Sequence, residues 1–270
     1  MQLSTDQLAR YRRDGFIVLP ELLAPAEVAA MKAELQRLQG IDTDHLVRER
    51  VGGVAKTIYR VHEADGPTAS PPFHAAARAP RLLAPARQLL GEESLYVYHT
   101  KCNLKTAIDG SVWAWHQDYG TWRRDGVPEA NLTTALLMLD EPTEIGGCLY
   151  FIPGSHRVGN LEPEFDESTG YKFFVVPKPT LLEIMQRSAE PVPIVGKPGT
   201  VVFFHPNLLH ASGHNLSRHD RWQVYIVYNT VANKPEAVPA PRPDYVRSTN
   251  VAPLQMGSDK ITTQPARETA

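Results

Sequence analysis

Residues 113–122 read WAWHQDYGTW, so three of the chain's four tryptophans surround His116 and Asp118. A buried core strand has no use for His-Gln-Asp in its middle, because buried polar groups need partners. A solvent loop has no use for three tryptophans. The combination fits a pocket mouth, with polar ligands on one face and apolar walls around them. If the stretch is a strand, residues i and i+2 share a face, so His116 and Asp118 project together while Gln117 points away. An imidazole and a carboxylate on one face are two ligands of the 2-His-1-carboxylate triad that holds Fe(II) and leaves positions open for chemistry. His-x-Asp alone is a frequent chance pairing, so a third ligand has to come from elsewhere.

The segment FFHPNLLHASGHNLSRHDR concentrates four of the ten histidines: His205, His210, His214 and His219. His205 ends a strand-like run and can simply cap it, and His214 and His219 read as loop residues. Arg221 opens the next strand. Along RWQVYIVYN, Arg221, Gln223 and Tyr225 share one face, and Trp222, Val224 and Ile226 share the other. An arginine directed into a barrel needs an anion, and its planar guanidinium suits a carboxylate. The alternative is pairing with a protein carboxylate or exposure at a strand end.

These residues need a scaffold, and the pattern predicts one that is mainly β with flanking helices. STDQ at 4–7 has the form of a capping box for a helix to about Arg13. APAEVAAMKAELQRLQG is an amphipathic helix with the stripe Val28, Met31, Leu35 and Leu38, closed by Gly40. Residues 41–72 read as a long loop over the site, with a short strand near KTIYRVH. A third helix fits 80–91, ended by Gly91. From residue 95 short β-branched and aromatic runs alternate with turn signals, broken by one helical candidate at 178–188. That texture predicts an antiparallel barrel or jelly roll. The organisation expected is one domain over 1–270: helical and loop support with a lid at 1–94, the β core at 95–230, and an irregular tail at 231–270 whose last ten or so residues are disordered.

A formal net charge of −2, without a long basic run, points away from nucleic-acid and membrane partners. Cys102 and Cys148 form no CxxC pair and read as two reduced thiols. The N-terminus has no apolar signal-peptide core, and no stretch approaches the ~18 apolar residues of a membrane span. The expectation is a cytoplasmic protein. Oligomeric state is not legible.

Taken together, the motifs resemble the phytanoyl-CoA dioxygenase family of Fe(II)- and 2-oxoglutarate-dependent oxygenases, most of all its ectoine hydroxylase-like branch. WHQDYGTW followed by DGVP is similar to that branch's signature around the first two metal ligands. GGCLYFIPGSHRVG resembles the strand and turn after the central sheet, and HASGHNLSRHDR the closing motif. The resemblance extends from DGFIVLP to about residue 230. It implies a double-stranded β-helix, the cupin-type jelly roll. It makes His210 the third metal ligand beside His116 and Asp118, Arg221 the anchor for the distal carboxylate of 2-oxoglutarate, and Ser212 its hydrogen-bonding helper. Asn103 matches a position near the cosubstrate. The implied reaction is hydroxylation of a substrate C–H bond, consuming O2 and 2-oxoglutarate and releasing succinate and CO2. Asp118 argues against halogenation, for which the carboxylate is lost. Desaturation or cyclisation by the same chemistry, a non-catalytic cupin binding a metal or small acid, and a zinc hydrolase are the alternatives. Arg221, at its fixed distance from His210, is a residue neither of the last two needs.

The sequence departs from the branch where substrate is expected: DGVP continues as Glu129, Ala130 and Asn131, His99 replaces a glutamine, and Tyr225 a phenylalanine. These changes argue against ectoine itself. Trp122, His99 and Tyr225 are expected to line the substrate pocket. Lys56, with Arg60 and His62, is expected to meet an acidic group from the overlying loop. No basic cluster suits a CoA phosphate moiety, so the expected substrate is a small amino-acid-like or natural-product molecule.

Overall fold

The computed structural model describes residues 1–48, 53–110, 112–166 and 173–261. Helix α1 (Thr5–Asp14) opens on the predicted capping box: Ser4 Oγ accepts the Gln7 amide at 3.2 Å and Gln7 Oε1 accepts the Ser4 amide at 2.8 Å. Gly15, at φ 84°, turns the chain into strand β1 (Phe16–Leu19). Helix α2 (Pro25–Leu38) buries the expected stripe of Val28, Met31, Leu35 and Leu38.

Residues 41–72 hold more structure than a loop. Strands β2 (Leu46–Arg48) and β3 (Ala55–Tyr59) pair with each other and extend the large sheet. Helix α3 (Pro71–Arg78) was not anticipated, because Pro71-Pro72 reads as loop punctuation although proline also suits the first helical turn. Helix α4 (Pro80–Leu90) ends at Gly91 as expected. Two helices form where one continuous run was available because a residue before proline avoids the α region. Ala79 is held extended at φ −64°, ψ 133°.

The remaining elements are β4 (Leu95–Lys105), β5 (Trp113–His116), α5 (Asp118–Trp122), β6 (Leu132–Met138), β7 (Leu149–Phe151), β8 (Glu164–Asp166), β9 (Phe173–Val175), α6 (Lys178–Arg187), β10 (Val192–Ile194), β11 (Val201–Phe204), β12 (His210–Ser212) and β13 (Arg221–Thr230). The large sheet runs β1-β11-β6-β13-β4-β3-β2, the small sheet β10-β7-β12-β5, and β8 and β9 form a separate hairpin. The two sheets form the jelly roll. Leu136, Met138, Val202, Phe204 and Tyr225 from the large sheet meet Leu149, Phe151 and Ile194 from the small one between them. The opposite face of the large sheet carries Cys102, Leu104, Trp222, Val224 and Ile226 against the helices. β4 and β13 are therefore buried on both faces, although the inward face of β4 carries the polar residues His99, Lys101, Asn103 and Lys105.

The segment after Asn233 is irregular, as expected, but it packs as part of the fold. Leu254 and Ile261 are buried in the helix-side core. The Ser248 and Leu254 amides donate to Tyr98 O and Leu95 O, both at 2.7 Å, along the edge of β4. Residues 262–270, where disorder was expected, lie outside the described residues. Both cysteines are free and buried. Among the described residues, no helix is long and apolar enough to cross a membrane.

Candidate active site

His116, Asp118 and His210 meet at one point, with ligand atoms all within 4.8 Å of one another. Asp118 Oδ1 is 3.7 Å from His116 Nε2 and 3.8 Å from His210 Nε2. The convergence is not produced by strand alternation. β5 ends at His116, Gln117 is extended at φ −113°, ψ 130°, and Asp118 is the first residue of α5. Gln117 does point away, and it fixes the strand-to-helix corner. Its amide donates to Gly159 O at 2.9 Å and Asn207 O at 2.8 Å, and accepts the Leu161 amide at 2.9 Å.

Both imidazoles are oriented as metal ligands. His116 Nδ1 lies 2.7 Å from Ala114 O, and His210 Nδ1 lies 2.9 Å from Leu208 O. A carbonyl can only accept, so each Nδ1 carries a proton and Nε2 is the ring atom that faces Asp118. Burial, and then the neighbouring His210, hold His116 well below the usual imidazole range, which keeps it in the neutral, ligating form. Two imidazole nitrogens and one carboxylate, leaving other positions open, fit a divalent iron.

The triad borders a cavity of about 400 Å³. His99, Asn103, Trp122 and Tyr225 line it. Of the clustered tryptophans, Trp113 is also in the wall, whereas Trp115 packs against the Ile152, Val176 and Leu209 cluster away from it. Lys56 is buried on β3 and is not among the cavity-lining residues. His205 caps β11 by accepting the Asn207 amide on Nδ1 at 3.0 Å, and His214 binds Gly110 O at 2.9 Å, away from the triad.

Arg221 is 2% exposed and is not among the residues that line this cavity. Its guanidinium donates to Gln223 Oε1 and reaches the Tyr225 hydroxyl. Among the described residues no carboxylate pairs with it. Its Nε and the Gln223 Nε2 are buried without a partner. Two orphaned donors on the inward face of one strand are costly unless an acceptor completes them, and a carboxylate does so for both charge and geometry. This donor set fits the distal end of a dicarboxylic cosubstrate. Ser212, also 2% exposed, follows His210 on the inward face of β12.

Sequence reading missed several wall residues. Lys101 alternates with His99 and Asn103 on β4, a period-two signal that was available. Its Nζ lies 3.5 Å from the Trp113 ring centroid, and burial lowers its pKa to about 7. Arg242 comes from the tail and had no local signal. It holds Asp125 at 2.7 Å, and both line the cavity. The tail also supplies Val246, whose carbonyl accepts from His99 Nδ1. Phe173 of β9 stands edge-on to His116 at 5.3 Å.

The phytanoyl-CoA dioxygenase family model matches residues 11–222. The ectoine dioxygenase of Bordetella bronchiseptica is 33% identical over 258 residues, covering 90% of this chain and 82% of that protein. The L-proline trans-4-hydroxylase of Streptomyces griseoviridis is 33% identical over 263 residues, covering 92% and 94%. The crystal structure of EctD from S. alaskensis with 2-oxoglutarate and 5-hydroxyectoine superposes with a TM-score of 0.83 at 31% identity, covering 96% of this chain and 89% of that one. Fold, site and relatives define a hydroxylating dioxygenase that uses Fe(II), 2-oxoglutarate and O2. Within that class, the chain belongs to the phytanoyl-CoA dioxygenase family.

Proposed function

We propose that the protein hydroxylates a C–H bond of a small, amino-acid-like substrate, with His116, Asp118 and His210 holding the iron. In this reading Arg221 anchors the distal carboxylate of 2-oxoglutarate, Ser212 donates to it, and Asn103 stands at the cosubstrate's flank. The observation that carries the reading is the pairing of one oriented triad with one buried guanidinium whose Nε lacks a partner. Iron and 2-oxoglutarate, when bound, supply the oxidising chemistry, with succinate and CO2 as by-products. The protein binds, orients and excludes water.

The cavity sets the scale of the substrate. At about 400 Å³ it is near the small end of ligand sites. Arg242, clamped by Asp125, offers a planar cation for a substrate carboxylate. His99 offers an acceptor: its Nδ1 proton is committed to Val246 O, and burial, then Arg242, push its pKa down to about 3. Nε2 is therefore a lone pair on a cavity-lining ring, suited to a substrate N–H. Trp122 and Phe173 supply apolar wall. A carboxylate beside an amine on a compact carbon frame satisfies this lining; L-proline, from a relative's name, is the first molecule to try, and ectoine, against which the departures at Glu129, His99 and Tyr225 argue, is the comparison.

The test is a panel of free and cyclic amino acids, with ectoine included, scored by succinate release and product mass. One member is expected to give a product 16 mass units heavier, in step with succinate. Binding of iron and 2-oxoglutarate without coupled turnover of any amino acid would overturn the substrate class and leave the cofactor assignment standing.

A further inference from the structure

Strand β3 leaves β4 at Tyr59, opposite Lys101. Arg60 makes the exit at φ 57°, a left-handed conformation that a residue with a side chain keeps only where its surroundings hold it. The edge of β4 beyond that point is taken by the tail, through the Ser248 and Leu254 amides. The same stretch of tail carries Arg242 and Val246 into the cavity wall. It is a compact turn. The Val246 amide donates to Pro243 O at 2.9 Å, and Arg247 donates from Nε to Arg242 O at 2.8 Å and from Nη2 to Asp244 Oδ1 at 3.0 Å. Residues 242–248 therefore hold one another, and a contact that fixes one of them fixes the turn.

One carboxylate ties this turn to the body of the protein. Glu63, half-buried just after the exit from β3, accepts on Oε1 from Ser248 Oγ at 3.2 Å and from Arg60 Nη2 at 3.1 Å. His62 Nε2 stands 3.4 Å from the same oxygen. Arg60 reaches on to the tail itself, donating from Nη1 to Asp244 O at 3.2 Å. The two tail contacts, at Asp244 and Ser248, flank Val246, whose carbonyl accepts from His99 Nδ1. Asp125 holds the Arg242 guanidinium from within the cavity wall, whereas this latch holds the backbone that carries it. Arg60, Glu63 and Ser248 are not among the cavity-lining residues. We infer that Glu63 is a positioning residue for the substrate: by accepting from Arg60 and Ser248 it fixes the tail turn, and with it Arg242 and the Val246–His99 hydrogen bond, against the cavity. The inference rests on the reading above that a substrate carboxylate meets Arg242 and a substrate N–H meets His99.

The test compares wild type with Glu63→Ala, Glu63→Gln, Arg60→Gly and Arg242→Met. The probe is L-proline, or the panel amino acid that wild type turns over fastest. Glu63→Ala is expected to raise the KM of the probe about tenfold or more, as loss of hydrogen bonds to a charged acceptor does. Calorimetric affinity for 2-oxoglutarate, on the Mn(II)-loaded, anaerobic protein, should stay within about twofold of wild type. Glu63→Gln keeps an acceptor oxygen and should recover most of the loss. Amide hydrogen exchange in Glu63→Ala should quicken in peptides spanning 242–250 and stay unchanged in β13. A merely structural role would lower the melting temperature and weaken probe and 2-oxoglutarate alike. That outcome, or a probe KM within about twofold of wild type in folded Glu63→Ala, overturns the inference. If Glu63→Ala does not fold, Arg60→Gly takes the same test with the same thresholds, because glycine adopts the left-handed backbone freely while the bonds to Asp244 and Glu63 are lost. Arg242→Met separates the two levels. An unchanged probe KM there, or no panel member turned over by wild type, overturns the substrate reading and this inference with it. A rise there with none at Glu63 overturns this inference alone.

Discussion

His210 is the direct cross-strand partner of His116, and their ring centroids are 4.1 Å apart. The register of β5 and β12 thus brings together two ligands ninety-four positions apart in the chain, and α5 adds Asp118 from the adjoining corner. Asp118 is the one anionic member of this set. Asp118→Ala is expected to bring hydroxylated product to background and to leave the purified protein without stoichiometric iron, while far-UV circular dichroism is unchanged. Full hydroxylase activity in that variant would refute the assignment.

Arg221→Leu tests the cosubstrate anchor in turnover. A charged, bidentate contact in a desolvated pocket contributes on the order of 2–5 kcal/mol. KM for 2-oxoglutarate should therefore rise by tens- to thousands-fold, with substrate KM little altered. A change within about twofold would mean that another residue holds the distal carboxylate.

Trp122 stands edge-on to Tyr98 at 5.7 Å, is 3% exposed, and borders the cavity four residues after Asp118. Misplacing a reacting C–H by about 1 Å can cost roughly a hundredfold. Trp122→Ala should uncouple the reaction, so that succinate still forms while hydroxylated product falls. Because truncating a buried tryptophan also costs about 3–5 kcal/mol of stability, Trp122→Phe is the companion variant. Melting temperature and the succinate-to-product ratio are read together. A folded variant with unchanged coupling on the native substrate would remove Trp122 from the pocket wall's functional part.

His99→Leu keeps the bulk of the ring and removes the acceptor. Loss of one hydrogen bond to a charged or strongly polar donor costs about 1.5–3 kcal/mol. For the amino acid identified by the panel, kcat/KM should drop about tenfold or more, with KM for 2-oxoglutarate held. Equal kcat/KM for both proteins would show that Nε2 does not meet the substrate.

Acid should destabilise the fold well above the range where carboxylates protonate. Burial, partly offset by Glu63, pushes His62 down to about 4, and burial pushes His205 down to about 4. An unfolded imidazole titrates near ~6.5, so between that value and about 4 the unfolded chain binds the more protons. The stabilising contribution is complete above ~6.5 and is lost as pH falls toward 4, by about 2 kcal/mol per imidazole at pH 5. Urea unfolding at pH 7.5 and pH 5 measures it, and His62→Gln should flatten the slope. The same stability at both pH values would count against neutral burial of these rings.

Much of this protein was legible from local chemistry. Capping boxes, a helical stripe and strand periodicity are short-range rules, so Ser4 with Gln7, Val28 with Leu38, and the inward set Arg221, Gln223 and Tyr225 could be read directly. His116 and Asp118 were legible as a pair by their types, although the geometry that joins them is a strand ending in a helix rather than one strand. What the tertiary structure alone decided depends on contacts between distant segments. The register of β5 on β12 selects His210 from four nearby histidines. The two sheets place Lys105 of β4 on Ser212 of β12, at a sequence separation of 107. The tail, read as an appendage because proline-rich polar sequence carries no periodicity, returns along β4 to supply Arg242 and the carbonyl that sets the tautomer of His99. Lys56 shows the converse. A charged residue in an apparent loop reads as solvent-facing or ligand-facing, but pairing of β3 with β4 extends the large sheet and buries it outside the cavity wall. Residue type and spacing specify which chemistry is available, whereas strand register and chain return specify which groups meet, because those are set by cooperative packing over the whole chain rather than by any local run.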